Sequence, residues 1–412
     1  DHDDHDDHDD HGHEHGHGEG DVRIEMHQTR YDFHASLEAP FAGVELARLR
    51  GAFVDYRHQE IEGSGEIGTL FENETLEARL ELLNAPVAGF TGAFGLQYDD
   101  RDFLARGEEA FVPPGDRRAL AAFAYQERTT GPFQLELGGR LEQVDYEPSN
   151  GPDRDFTVVS AAVGTVFEAT DDIDLMVQLD AASRAPEIEE LFADGPHLAT
   201  QTFEIGDADL DEETALNASF TFHGHFELVD LMLSLYTTAF ADFTYLADTG
   251  LEEDGLPVRR WVQGDARFSG AEFAATVPLV EGPTRVALRL TGDAVRAELD
   301  DAPAGGREEL PRIPASRLGV GLDLARGPVA GEIVLRRTFR QDEVAAFENP
   351  TDAFTDLSAY LAWRLDAGAG NVELYARGSN LLDVEQRLNA SFLADRAPLP
   401  GRALEVGVRV EI

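Results

Sequence analysis

The sequence predicts an all-β chain forming a transmembrane antiparallel β-barrel, and three observations carry that expectation. The first is period-2 alternation. In 402–412, Leu404, Val406, Val408, Val410 and Ile412 share one face, while Ala403, Glu405, Gly407, Arg409 and Glu411 share the other. In 133–142, Phe133, Leu135, Leu137 and Leu141 oppose Gln134, Glu136, Arg140 and Glu142, and in 285–293 Val286, Leu288 and Leu290 oppose Arg285, Arg289, Thr291 and Asp293. One apolar and one polar face is what a half-buried antiparallel sheet requires. The second observation is length. Soluble strands run to roughly 5–6 residues, whereas a strand tilted across a bilayer needs about 9–11, and many alternating segments here exceed ten residues. The third is asymmetry: short links at 39–43, 84–86, 170–173 and 281–284 alternate with long polar ones at 108–118, 184–213, 249–260 and 300–316. Short turns at one end and long loops at the other describe an outer-membrane barrel.

Read in order, the chain opens with DHDDHDDHDDHGHEHGHGEG (1–20), which has no apolar side chain and so cannot contribute to a packed core. About 17 strands follow, near 21–38, 44–60, 71–83, 90–104, 118–130, 133–147, 155–169, 173–183, 214–226, 229–247, 260–279, 285–299, 316–326, 330–345, 354–366, 371–388 and 402–412. Bacterial single-chain barrels have an even number of strands. If the final strand ends in the periplasm, the first descends from outside and 1–20 belongs to an extracellular loop. An odd count and an opening inside a loop lead to the expectation that these residues are a portion of a longer chain, in two parts: 1–20 as a surface loop and 21–412 as barrel.

Composition narrows the function classes. The net charge of −47 and pI near 4.4 argue against nucleic acid and against a polybasic patch for anionic lipid. Nine of those negative charges lie in 1–20, so the remainder is acidic too and attracts cations. With no cysteine, disulfide scaffolds, thiolate metal sites and cysteine nucleophiles are excluded. No run of about 18 apolar residues offers a transmembrane helix.

The opening stretch carries the chemistry. His2, His5, His8 and His11 are spaced by three, and His11, His13, His15 and His17 by two, with Asp3, Asp6, Asp9 and Glu14 interleaved. Neutral imidazole suits zinc, nickel and copper, and carboxylate oxygens fill positions of a zinc tetrahedron that histidine leaves open. Many overlapping four-ligand sets exist and none is preformed, so binding must offset the ordering of a flexible loop. Moderate affinity, several ions and poor selectivity suit capture and hand-over. The alternatives are a solvated acidic loop, or calcium, for which histidine is a poor ligand. Farther along, His223 and His225 share the polar face of a descending strand, placing them in the lumen near the periplasmic end. They are candidates to relay a metal ion or to hydrogen-bond a plug. His197 lies in a long loop where it could meet incoming ligand. His34, with Asp32 and Ser36, His27 and His58 are weaker candidates. Arg184, Pro186, Glu189 and Glu190 read as residues that shape a loop, and Tyr98, Phe103, Tyr146 and Tyr245 as interfacial girdle or loop packing. No isolated acid pair, nucleophile elbow or strand-to-helix glycine motif supports catalysis, so an enzyme is not expected.

Four segments in order resemble TonB-dependent outer-membrane receptors: GEEAFVPPGD (107–116), SRAPEIEELFADGPHLATQTFEIGDADLDEE (183–213), LPRIPASRLGVGL (310–322) and GSNLLDVEQRLNASFLADRAPLPGRALEVGVRVEI (378–412). Together with the His/Asp stretch, GPHLAT, FVPP and APLPGR are most similar to the zinc-uptake branch. Such barrels have about 22 strands, so the resemblance implies a C-terminal barrel portion without plug, TonB box and first strands, and 1–20 as the third extracellular loop. Ile412 departs from the aromatic end usual in outer-membrane chains. The implied function is uptake of zinc, Zn(2+) being the transported ligand, or of a zinc complex. The implied partners are outer-membrane lipid and the TonB–ExbB–ExbD complex acting through the plug. A ferric-siderophore or haem cargo is the nearest alternative, favoured by Arg259, Arg260 and Trp261. A passive porin or adhesin with a metal-buffering loop is another, and a soluble β-sandwich is the weakest.

Overall fold

The computed structural model describes residues 23–61, 65–107, 110–197, 200–300, 308–366, 368 and 370–411. Eight long strands come first: β1 (Arg23–Phe41), β2 (Val44–Ile61), β3 (Ile67–Val87), β4 (Phe90–Gly107), β5 (Gly115–Thr130), β6 (Phe133–Pro148), β7 (Arg154–Thr170) and β8 (Ile173–Arg184). A loop then carries helix α1 (Ile188–Phe192) and two four-residue strands, β9 (Asp194–His197) and β10 (Thr202–Ile205). Four more long strands follow, β11 (Glu213–Phe226), β12 (Val229–Glu253), β13 (Leu256–Val280) and β14 (Thr284–Leu299), then the two-residue β15 (Glu308–Glu309). The last five are β16 (Arg317–Arg326), β17 (Val329–Thr338), β18 (Phe354–Asp366), β19 (Asn371–Ser379) and β20 (Ala403–Glu411). Among the described residues, setting aside the three short loop strands, 17 long strands build the sheet, as the alternation predicts.

Each long strand pairs antiparallel with the next, and β8–β11 and β14–β16 pair across intervening loops. The register aligns the apolar faces. Leu96 sits opposite Ala122, Ala122 opposite Leu141, and Leu141 opposite Val159. Leu96, Leu141 and Val159 are 52%, 52% and 57% exposed, so this face packs against no other part of the described chain. The opposite face is polar. Arg79 and Arg140 both donate to Gln97, at 3.1 and 3.3 Å, and Glu373 receives Tyr360, Arg364 and Arg409 at 3.1, 2.8 and 2.8 Å. Apolar outside and polar inside is the inverse of a soluble sandwich. Among the described residues β1 pairs only with β2 and β20 only with β19, so the ladder has two edges.

Several expected boundaries are corrected. The segment 249–260 is no long loop, because β12 and β13 continue to a two-residue turn at Asp254–Gly255, with φ of 50° and 80°. Asp-Gly with both φ positive is a turn whose twist matches that of its strands. The turn expected at 84–86 lies at Ala88–Gly89, where φ is again positive. The strand expected over 330–345 stops at Thr338, and that over 371–388 stops at Ser379. There Asn380 turns to φ 45° and its side chain bonds both Val384 N–H (3.0 Å) and Val384 C=O (2.9 Å), replacing the ladder with a local turn. The helix and the three short strands within the long loops carry no periodicity that reveals them.

Among the described residues, packed core gathers where long loops fold back onto the inner face. Val144, Tyr146, Phe156 and Val158 meet Ile188, Leu191, Phe192 and Leu210 in one cluster, and Ala266, Ala297, Leu299 and Leu310 form a second. Lower on the inner face Tyr236 lies so close over Gly270 that a Cβ there would meet the ring at 2.3 Å, so a larger residue would push the ring aside. Two polar anchors hold the 185–212 loop. The Tyr146 hydroxyl, buried, donates to the Pro186 carbonyl at 2.8 Å. Arg184 forks onto Glu190 (2.8 and 3.1 Å) and Glu213 (3.2 and 3.1 Å), while Glu190 also accepts the Glu187 N–H at the start of α1. These residues shape the loop, as expected. Tyr146→Phe removes the donor and leaves a buried carbonyl unsatisfied, which costs about 1–3 kcal/mol. A lower urea midpoint of the folded protein in detergent is the expected result, and an unchanged midpoint contradicts this anchor.

Candidate functional site

Of the residues singled out for metal chemistry, His2, His5, His8, His11, His13, His15, His17, Asp3, Asp6, Asp9 and Glu14 lie outside the described residues. The others fall at opposite ends of the sheet.

His223 and His225 stand on the polar face of β11, two residues apart, with ring centroids 3.9 Å from each other. Their neighbours come from register. His223 is opposite Asp174 of β8, and His225 is opposite Asp230 of β12. Asp230 reaches both rings, at 3.5 Å from His223 Nε2 and 2.6 Å from His225 Nδ1. This group lies beside the β7–β8 and β11–β12 turns, the short-turn end of the sheet.

His197 ends β9 at the long-loop end. Its ring stacks on Phe111, with centroids 4.4 Å apart, and its Nδ1 lies 2.9 Å from Glu204 Oε1. The same oxygen accepts the hydroxyls of Thr200 and Thr202, at 3.0 and 3.1 Å. The structure therefore engages His197 in holding a buried carboxylate between β9 and β10. His34 lies beside Arg30, Asp32 and Arg50, and His58 stacks on Phe71 with its Nδ1 2.9 Å from the Tyr56 hydroxyl. His27 lies 3.4 Å from the Thr29 hydroxyl.

Sequence reasoning missed a cavity of about 190 Å³ at the long-loop end, whose walls include Thr202, Arg259, Arg312, Phe347, Asn389 and Phe392. Arg259 lies over the Phe347 ring at 4.0 Å, and Arg312 over Phe392 at 3.9 Å, cation–π contacts that hold both guanidiniums in place. Asp248 is 2.8 Å from Arg259 Nη1 but off the N–H direction, so the contact is coulombic and this buried donor lacks a hydrogen-bond acceptor. Burial lowers the Arg312 pKa against the opposing pull of Glu348. Arg259 was visible as a cation in the sequence, but its aromatic partner is 88 residues away and no pattern joins them.

Burial pushes the Glu204 carboxyl up, yet the His197 bond and the two threonine hydroxyls outweigh it and hold the pKa below the ordinary 4.5. A depressed carboxylate stabilises the fold fully above that ordinary value, and the contribution is lost as pH falls through the lower folded value. The expected outcome is that amide exchange at 202–205, corrected for intrinsic chemistry, stays slow from pH 7 to 5 and accelerates toward pH 3. Glu204→Gln should flatten this dependence, and a flat profile in the parent protein contradicts it.

With this geometry established, comparison with known proteins identifies the architecture. The family described as TonB dependent receptor-like, beta-barrel matches residues 1–381. The chain is similar in fold to the copper transporter OprC, with a TM-score of 0.79 and 17% identity over 93% of this chain and 66% of that one. It is also similar to the FrpB iron transporter from Neisseria meningitidis (F3-3 variant), with a TM-score of 0.72 and 14% identity over 93% and 63%. A mutant of the ferric enterobactin receptor PfeA from Pseudomonas aeruginosa, in complex with enterobactin, gives a TM-score of 0.68 and 15% identity over 93% and 62%. The chain thus spans less than two thirds of the length of each, and at these identities the likeness is one of fold. Matched over most of its length and built as a wall of long antiparallel strands, the chain belongs to the TonB dependent receptor-like, beta-barrel family.

Proposed function

We propose that the chain is the barrel portion of a TonB-dependent outer-membrane receptor that imports a metal, with zinc or a zinc complex captured by residues 1–20. The observation that carries the cargo is the sequence itself: seven histidines within 2–17, interleaved with carboxylates. The exposed apolar face of the strands supports contact with outer-membrane lipid, and the polar inner face supports a path for ions. The mechanism is binding and gated passage, without covalent chemistry. A solvated His/Asp loop concentrates a divalent cation at the surface, helped by the acidic charge of the whole chain. Imidazoles that share an ion among many overlapping sets release it readily. On this reading, energy comes from the TonB–ExbB–ExbD complex acting through a plug domain.

One observation favours a second reading, an anionic metal chelate as cargo. Arg259 and Arg312, each seated on an aromatic ring, face a cavity at the long-loop end, and aromatic-backed guanidinium suits planar anionic groups. Both readings are separated by one experiment on the complete receptor in detergent and in cells. Removing residues 1–20 is expected to lower zinc affinity at least about tenfold and to reduce the number of ions bound. Arg312→Ala is expected to leave zinc binding within about twofold. Zinc binding unchanged by the deletion, together with uptake of a ferric chelate that Arg312→Ala abolishes, would replace the first reading by the second.

A further inference from the structure

We infer that Asp174, His223 and His225, backed by Asp230, form a divalent transition-metal site on the inner face at the short-turn end, separate from the opening stretch. Each of the first three offers one ligand atom, and these atoms all lie within 4.8 Å of one another. Zinc–ligand bonds of about 2.0–2.2 Å place tetrahedral ligand atoms about 3.3–3.6 Å apart. With separations of at most 4.8 Å, the group needs an inward movement of no more than about 1 Å, within reach of side-chain rotation at this partly open position. His223 is 27% and His225 50% exposed at the side chain within this chain.

Register builds the site. The β8–β11 pairing sets Asp174 directly opposite His223, and the β11–β12 pairing sets Asp230 opposite His225. The i, i+2 spacing of the two histidines puts both on one face of β11. Asp230 holds His225 through Nδ1 at 2.6 Å, leaving Nε2 to face an ion. An outer carboxylate on a ligating histidine is the usual means of fixing its tautomer and raising its basicity. Charge agrees: two carboxylates and two neutral imidazoles balance one divalent cation. The donor set of two nitrogens and carboxylate oxygen suits zinc, copper(II) or nickel, and is a poor match for calcium or magnesium.

The site stands on its own geometry, and its service to cargo passage rests on the uptake reading above. The probe is Co2+, followed by the visible absorption that tetrahedral coordination produces, with Zn2+ as competitor. The complete receptor is used in detergent, with the seven histidines of 2–17 replaced by serine so that the opening stretch contributes nothing. One Co2+ per chain, displaced by Zn2+, is expected. Binding should weaken at least about tenfold in His223→Ala and in His225→Ala, and about tenfold in the near-isosteric Asp174→Asn and Asp230→Asn. Heat-modifiable mobility on gels confirms that each variant is folded. An absent absorption band, or a band that survives both histidine variants, would overturn the assignment and leave the group as a histidine–aspartate ion pair. Because the readout is metal binding, a receptor shown to import a ferric chelate would overturn the zinc reading while leaving this site intact.

Discussion

Everything in this fold depends on one constraint: a strand that faces hydrocarbon must satisfy its backbone hydrogen bonds with neighbouring strands, because the medium offers none. Pairing with neighbours on both sides forces the chain into one continuous antiparallel ladder. The pleat then divides every strand into two faces, and the solvent on each side decides which residues stand there. Rows such as Leu96, Ala122, Leu141 and Val159 follow from that division, as does the polar row of Arg79, Gln97 and Arg140 on the other side. Among the described residues β1 and β20 are paired on one side only, and both are exposed along most of their length.

A wall of this kind has no interior of its own to pack, so its apolar core arises where loops fold back. The 185–212 loop supplies Ile188, Leu191 and Phe192 to the inner face, and polar anchors decide where it lands. Arg184 is central because it stands at the last residue of β8 and grips both Glu190 in the loop and Glu213 at the start of β11. A single guanidinium thus ties the wall to its cap. Such a partly buried fork costs desolvation and returns geometry, since five donors in a plane leave little freedom for the carboxylates they hold.

Electrostatics differentiates the two ends of the sheet within a strongly acidic chain. At the long-loop end, guanidiniums backed by Phe347 and Phe392 share a cavity with the carboxylates of Glu348 and Asp395. At the short-turn end, two imidazoles meet two carboxylates. A cation or an anionic chelate therefore meets unlike chemistry at either end, and the bulk charge of −47 predicts neither arrangement.

The sequence by itself determined the strands, because period-2 alternation is imposed locally by the two solvents and is legible in segments such as 133–142. It failed at strand ends and within loops. Thr338, Ser379 and the Asp254–Gly255 turn are set by side-chain bonds and by how far two strands keep pairing, and alternation marks neither. The candidate site was half legible. His223 and His225 reveal their shared face by spacing alone, and their place near a short turn follows from the strand count. Asp174, 49 residues before His223, joins them only through the β8–β11 register, and Asp230 only through the β11–β12 register. His197 could be noticed in the sequence, but its hold on Glu204 needed the β9–β10 pairing. Tertiary structure decided these groupings because a strand fixes which way its side chains point, whereas the partner that meets them is chosen by pairing across the sheet.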